Sequence, residues 1–474
     1  MRGYGNSAAT HKDTKLYHIN QIMTEKRIGI LALQETHITE EQRRFIESKF
    51  TRRLKVFISP DPENPTGKGS VAVVLNKKYF GIEGTKATEI VPGRALLVHT
   101  TIHQDDINIL AVYAPNVSGS KGSENAEFWK KIEAYYEKHL RTPKPNVLMG
   151  DMNVAEDGMI DRLPTHNDPN EAVDALDNLK LRFGLKDRWR STYPDKKAFT
   201  YPDKATCVQA DCSQSRIDRI YVTDRILETA REWKMAPSGI PRTDHLMISV
   251  QISSENAPFV GKGRWKVPDH VLKDKVFLEY VHTRGKAAEA ELNSLTARND
   301  DTNLQLIWYN FKTDIVNKAK EQARIIIPRL TRLVQETQVE LDRILHDPVL
   351  QEIEKAERAR DLKIRIQQLE QQRHSQRRKD VAVQHNLEGE IPSQFWSQAN
   401  KEQKPRDMIY ALRKLDATTN EHGILLGDAY EKDSWKMAEQ AKQYHDRLQD
   451  SGINPENGNG WEQTINEVLD HLKT

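Results

Sequence analysis

The segment Asn146-Val147-Leu148-Met149-Gly150-Asp151-Met152-Asn153 carries a short apolar run straight into an acid and an amide. An apolar run this short, ended by a glycine, has the form of a buried strand handing over to a loop. In extended backbone the two-residue spacing points Asp151 and Asn153 to one side of the chain, and Gly150 permits a turn just before them. Such a pair has chemical use: one member orients or deprotonates a water while the other donates its amide to a phosphate oxygen or a developing charge. A Gly-Asp-x-Asn loop start also occurs with no chemistry attached.

Working outward, other groups of the same kind close other apolar runs. Glu35 follows Ile30-Leu31-Ala32-Leu33-Gln34 and is placed to hold a hard divalent cation, or to act as an ordinary capping acid. Tyr113 ends a run at Val112, where its hydroxyl could donate to a phosphate oxygen or simply pack. Asp218 shares a strand face with Ile220 and Val222, which is costly for an acid unless it is paired with His245, a metal, Arg216 or Arg219. Asp244 and His245 precede the run Leu246 to Ile252, with Pro241 and Arg242-Thr243 making a turn. His245 could bind phosphate or water with a distant carboxylate holding its tautomer, or be a satisfied histidine. Together the carboxylates, amide, histidine and tyrosine suit metal-assisted hydrolysis of a phosphate ester, with Mg²⁺ neutralising charge on the leaving oxygen and no cysteine nucleophile required.

The surrounding pattern is α/β. Strand-like runs recur at 28–33, 54–58, 70–75, 95–100, 107–112, 146–149, 219–222 and 246–252, with helical candidates at 15–23, 40–48, 124–139 and 170–183. That order fits two sheets covered by helices. After Ala257 glycine nearly disappears and apolar residues such as Leu330, Leu333, Val334, Leu341 and Leu345 take helical spacing, broken by Pro328 and Pro348. The stretch 352–380 has a heptad too irregular for a regular coiled coil. Three parts are expected: 1–255, a helical region at 256–385, and a small helical region at 386–474 in which Phe395, Trp396, Ile409, Tyr410, Leu412 and Leu415 pack and 432–448 forms a helix.

Composition sets limits. With 474 residues, 37% apolar and 30% charged, the chain is expected to divide into about two to four domains. A formal charge of +2 argues neither for nor against nucleic acid. Cys207 and Cys212 are too few for a disulfide framework. No apolar run approaches the roughly 20 residues needed to span a membrane, and the polar start at Met1 to Thr14 has no signal-like core, so an intracellular protein without membrane contact is expected.

The phrases LALQETH at 31–37, LAVYAPN at 110–116, LMGDMN at 148–153, SQSRIDRIYVT at 213–223 and TDH at 243–245 resemble the exonuclease-endonuclease-phosphatase superfamily. Within it they are most similar to the apurinic-like endonuclease domain of fungal non-LTR retrotransposons. The resemblance implies a four-layered α/β sandwich of two mixed β-sheets flanked by helices over about 1–255, followed by a mainly helical C-terminal region. It implies Glu35 and Asp244 as metal ligands for Mg²⁺, with Mn²⁺ as substitute. Tyr113, Asp151, Asn153, Asp218, Asp244 and His245 would be the catalytic set, and Thr200 and Ser215 would support them. DNA is the implied substrate and the element's own RNA a further partner, with nuclear location and a nick bearing a 3′-hydroxyl as the product that primes reverse transcription.

Backbone contacts are expected from Arg188, Arg190, Lys196, Lys197 and Lys204, while Trp189 and Tyr193 either stack on a base or merely pack. Arg373, Arg377, Arg378 and Lys379 form a second basic cluster that grips nucleic acid or is a solvated helix face. Gly261-Lys262-Gly263-Arg264-Trp265 and 395–414 resemble the linker before a reverse transcriptase, whose Tyr-x-Asp-Asp signature does not occur here. The superfamily's first strand carries Asn-x-x-Gly; register puts that asparagine ahead of Met1, and Asn6 is out of step, so a truncated first strand is expected. Two other readings stay open: a degenerate or domesticated element protein that binds without cutting, and an enzyme of the same fold acting on RNA or a phospholipid.

Overall fold

A computed structural model describes residues 15–67, 69–102, 105–117, 122–201, 214–238, 240, 243–253, 265, 267–294, 303–326, 329–388, 401, 409–414, 417 and 429–450, without the side chains of 17, 269, 374, 376–388 and 449–450. Outside them lie Met1-Arg2-Gly3, Asn6, both cysteines, Lys204, Ser213, Pro241, Arg242, Gly261 to Arg264, Pro328, Phe395, Trp396, Leu415 and the side chains of Arg377, Arg378 and Lys379.

The elements are α1 (Lys15–Glu25), β1 (Ile30–Gln34), α2 (Glu40–Lys49), β2 (Leu54–Ser59), β3 (Val71–Asn76), β4 (Lys86–Val91), β5 (Ala95–Ile102), β6 (Asp105–Tyr113), α3 (Gly122–Lys138), β7 (Val147–Asp151) and β8 (Arg162–Leu163). There follow α4 (Asn170–Phe183), α5 (Arg188–Thr192), β9 (Gln214–Ser215), β10 (Asp218–Val222), α6 (Asp224–Thr229), β11 (Arg231–Ala236) and β12 (Met247–Gln251). The helical part comprises α7 (Asp269–Leu272), α8 (Lys275–Asn293), α9 (Leu304–Ile325), α10 (Arg329–Leu345) and α11 (Glu352–Glu388), and β13 (Leu412–Arg413), β14 (Tyr430–Glu431) and α12 (Ser434–Asp450) complete the chain.

Each apolar run expected to be a strand is one. The two longer strands without such a run, β4 and β11, are largely exposed and polar, which is how a sheet edge avoids further pairing. One sheet has the order β1-β3-β2 and a second β10-β7-β6-β5-β4. In the second, β6 and β7 run parallel while its other pairs are antiparallel, and α3 makes the crossover that a parallel pair needs.

Side-chain alternation sorts the strands into layers. On β3, Val71, Val73 and Leu75 meet Leu96, Val98 and Ala111 of the facing sheet, while Ala72 and Val74 turn outward to Leu16, Ile19 and Ile22 of α1 and Ile46 of α2. On the far side Leu97, Leu110, Val112 and Leu148 pack against Trp129 and Ile132 of α3 and Leu176 and Leu179 of α4. Helix, sheet, sheet and helix therefore stack in four layers. A shorter pair, β11-β12, extends the inter-sheet core through Ile248 and Val250 onto Val147, Ile220 and Val222.

The chain divides into two compact units, Met1–Glu255 with Lys266–Arg406, and Asn256–Trp265 with Asp407–Thr474. Helices that composition sets apart from the sandwich thus share its unit. Leu341 and Leu345 of α10 and Ala356, Ala359 and Ile366 of α11 form one apolar cluster with Leu163 and Phe199. Helices α7, α8 and α9 gather around Val271, Phe277 and Ala319. In the second unit the helix expected over 432–448 is α12, but the small helical unit expected around Leu412 is not seen among the described residues: Leu412–Arg413 pairs antiparallel with Tyr430–Glu431 as a ribbon.

Gly150 also departs from expectation. It lies inside β7 rather than in a turn, at φ 145°, and a Cβ there would stand 2.0 Å from the Val112 carbonyl oxygen of β6. Only glycine lets the two parallel strands approach so closely. Gly150→Ala is expected to destabilise the full chain by at least about 2–3 kcal/mol, read as a lower urea midpoint; an unchanged midpoint contradicts the close approach.

Candidate active site and metal centre

Strand register builds the site. Tyr113 at the end of β6 stands beside Asp151 at the end of β7, and Asp151 stands opposite Asp218 at the start of β10. Period two puts all three on the face that carries Ile109, Ala111, Val147, Ile220 and Val222, so they line the open end of the space between the sheets. From the facing sheet Glu35, just past β1 at φ 50°, accepts a 2.6 Å hydrogen bond from the Tyr113 hydroxyl. Tyr113 is itself steadied by Arg94, whose guanidinium lies 4.7 Å from the ring centre and donates to the Tyr113 carbonyl at 3.3 Å.

His245 enters from the loop before β12, its Nδ1 2.8 Å from Asp218 Oδ2, which leaves Nε2 for other work. The pair is held from behind by buried Thr200. Its Oγ1 accepts from the amides of Ile217 at 3.2 Å and Asp218 at 3.0 Å, and its carbonyl accepts from Leu246 at 2.7 Å. Ser215, also buried, supplies the carbonyl that takes the Thr200 amide at 2.9 Å. Tyr201 completes this wall with its ring 4.9 Å from that of His245. Asn153, at φ 51°, is locked by two bonds: its amide N–H donates to Asp151 Oδ1 at 2.9 Å and its Nδ2 to the Ala114 carbonyl at 2.8 Å.

Charge follows from this crowding. Burial and then the neighbouring Asp218 push Asp151 upward to about 7, against the pull of His245. His245 moves the other way from what burial alone would do, raised to about 9 by the charge and hydrogen bond of Asp218, with Asp151 and Asp244 adding. Burial works against the Glu35 carboxylate, yet the hydrogen bond from Tyr113 and the nearby His245 and His37 hold it below its ordinary value.

Among the described residues one group meets metal-ligand spacing: donor atoms of Asp151, Asp218 and His245 lie within 4.8 Å of one another. Glu35 and Asp244, implied as ligands by resemblance, are not of that group, though both act on it through charge. The donor set fits a divalent cation. Two carboxylates and an imidazole are acceptable ligands, and buried Asp151 is a carboxylate whose charge is not compensated in full by the protein.

Behind the site lies a buried ionic cluster that single residues in the sequence did not signal. Asp161 is held by Arg190, by Arg216 Nε at 2.8 Å and by Arg219 Nη2 at 2.7 Å; Arg216 also reaches Asp187 at 2.8 Å, and Arg219 reaches Glu156 at 2.5 Å. Two of the residues expected at nucleic acid are engaged within the protein. Trp189 takes the packing alternative: it is buried, with the guanidiniums of Arg190 and Arg216 over its ring at 5.1 and 4.9 Å. Arg190 is spent on Asp161 and on the carbonyls of Tyr193, Pro194 and Lys196. Lys197 pairs with Glu352 at 3.4 Å, and Lys196 lies over the Tyr193 ring, whereas Arg188 is exposed. Arg216 and Arg219 neutralise Asp161 rather than Asp218, which leaves Asp218 to His245.

A protein-family model described as Endonuclease/Exonuclease/phosphatase family matches residues 4–249, and the chain belongs to that family. The "Transposon TX1 uncharacterized 149 kDa protein" of Xenopus laevis is 28% identical over 279 residues, 58% of this chain and 20% of that protein. "Recombination repair protein 1" of Drosophila melanogaster is 30% identical over 158 residues, 32% of this chain and 23% of that protein. The chain thus spans about a fifth of the length of either relative. Similar solved structures include an AP endonuclease from Archaeoglobus fulgidus, 21% identical with a TM-score of 0.39 over 50% of this chain and 93% of that one. Another is the endonuclease domain of TRAS1, a telomere-specific non-LTR retrotransposon, 16% identical with a TM-score of 0.36 over 51% and 93%.

The ionic cluster predicts acid sensitivity. Burial works against Glu156, but Arg219 and then Lys180 hold it at about 2, from an ordinary 4.5, and Asp161 is likewise depressed by its arginines. Depressed carboxylates leave the unfolded chain binding more protons, so their stabilisation is complete above pH 4.5 and lost as pH falls towards about 2. Stability measured by urea titration is expected to decline through that window, and Glu156→Gln to remove part of the slope; an equal slope in both proteins would refute the assignment.

Proposed function

We propose that this protein is a divalent-metal-dependent endonuclease that hydrolyses a DNA phosphodiester bond and leaves a 3′-hydroxyl. The observation that carries the reading is the convergence of Asp151, Asp218 and His245 at one strand end, beside the Tyr113–Glu35 pair. Glu35 and Asp244, with the carboxylates of Asp151 and Asp218, would hold Mg²⁺ or Mn²⁺, which when bound would offset charge on the phosphate and its leaving oxygen.

The chain's own groups divide the remaining work. Asp151, raised towards neutrality, takes a proton from the attacking water. His245, charged and braced by Asp218, offers its Nε2 proton to a phosphate oxygen. Asn153, whose Nδ2 is tied to the Ala114 carbonyl, would meet the phosphate with its second Nδ2 proton. Tyr113 holds the Glu35 carboxylate and keeps it ionised. Thr200 and Ser215 hold the backbone under Asp218 and His245.

Support for nucleic acid as the substrate comes from the family and from the two relatives, a transposon protein and a recombination repair protein. On this reading the nick primes reverse transcription of a retroelement of fungal type, the protein acts in the nucleus, and Arg188, Lys196 and Lys197 border the path of the DNA backbone. The helical region belongs, on the same reading, to the connection between endonuclease and polymerase.

With Mg²⁺ or Mn²⁺ the full chain is expected to nick supercoiled plasmid and leave ends that a polymerase extends, with activity abolished by EDTA. Asp151→Asn and His245→Ala should each reduce nicking by about 10²–10⁴-fold. Intact plasmid in the presence of folded protein contradicts the reading; cleavage confined to RNA or a phospholipid in a parallel panel would reassign the substrate.

A further inference from the structure

Helix α11 makes polar contacts to both segments that carry the Asp218–His245 pair. Its buried residues, Ala356, Ala359, Lys363, Ile366 and Glu370, recur at alternating spacings of three and four, so one stripe faces the sandwich. Small Ala356 lets the helix come close enough for Gln214 Nε2 to donate to its carbonyl at 2.8 Å. The other end of the same amide, Gln214 Oε1, accepts from Lys363 Nζ at 2.5 Å. Both ends of the Gln214 amide thus bond to the helix, and Gln214 sits beside Ser215, whose carbonyl anchors Thr200.

A second contact is more direct. Gln367 Nε2 donates to the Thr243 carbonyl at 2.7 Å, two residues before His245. Lys363 further lies over the Phe199 ring at 4.7 Å, next to Thr200. An apolar cluster of Phe199 with Ala359 and Ile366 seals the same junction. The family match ends at residue 249, so none of these helical residues belongs to the matched region.

We infer that α11 is part of the active-site frame, and that Gln367 is a positioning residue that fixes the Thr243–His245 loop through the Thr243 carbonyl while the Lys363–Gln214 contact fixes the segment under Asp218. The inference rests on the proposed hydrolysis for its effect on turnover, but the contact itself can be read without it. Chemistry separates positioning from packing: Gln367→Glu keeps the shape, yet an ionised carboxylate cannot donate to a carbonyl, whereas the ammonium brought by Gln367→Lys can.

The test uses Gln367→Glu, Gln367→Ala and Gln367→Lys in the full chain. Plasmid nicking and the ring resonances of His245 in metal-free, DNA-free protein are both measured. Gln367→Glu and Gln367→Ala are expected to lower kcat roughly ten- to hundred-fold with KM unchanged, and to move the His245 resonances, while Gln367→Lys restores both towards wild type. Wild-type turnover and unmoved resonances in all three variants would overturn the inference. Should wild-type protein fail to nick DNA, the proposed function falls, and the resonances alone decide: a shift in the first two that lysine reverses upholds the coupling, and no shift overturns it.

Discussion

Everything at the candidate site depends on one registration. Tyr113, Asp151 and Asp218 are neighbours because β6, β7 and β10 are paired with their ends in one row. A slip of one residue between any two strands would turn a carboxylate away from the inter-sheet space and towards the helix layer. Gly150 supports that register, since its φ of 145° and the tight approach to Val112 admit no side chain. The fully buried β3 then sets the distance from the opposite sheet at which Glu35 meets Tyr113.

The carboxylates around Asp161 and those around Asp151 differ, and the contrast between them locates the chemistry. Asp161 and Glu156 are surrounded by Arg190, Arg216, Arg219 and Lys180, and their acidity is enhanced. Asp151 is buried and faces Asp218, which outweighs His245 and the Asn153 amide, and is pushed up instead. The first group is already neutralised by the protein and ties the 156–168 loop to β10. The second retains a deficit of positive charge that a divalent cation at the Asp151–Asp218–His245 group would meet.

Much of this was legible in the sequence, and the legible part has a common cause. Strands buried on both faces must be apolar throughout, so β3, β6 and β7 announce themselves, and the polar residue that ends each run is conspicuous. Edge strands β4 and β11 carry no such pattern because solvent tolerates their polar residues. The arginine cluster was invisible for another reason: Arg190, Arg216 and Arg219 look like any basic residues until the fold delivers Asp161 to them. Trp189 is a similar case: Arg190 follows it in α5, but Arg216, the other guanidinium over its ring, is brought from a separate segment. The contact of α11 with Thr243 and Gln214 spans more than a hundred residues and leaves no local trace.

The account stands on one cation held where a DNA phosphate also binds. Electron–nuclear double resonance on Mn²⁺ added to the full chain with a DNA oligonucleotide tests this directly. One bound Mn²⁺ coupled to phosphorus, with the coupling lost in Asp151→Asn, is the predicted result. Protein that binds the oligonucleotide and Mn²⁺ with no phosphorus coupling, or that binds no Mn²⁺, would contradict it.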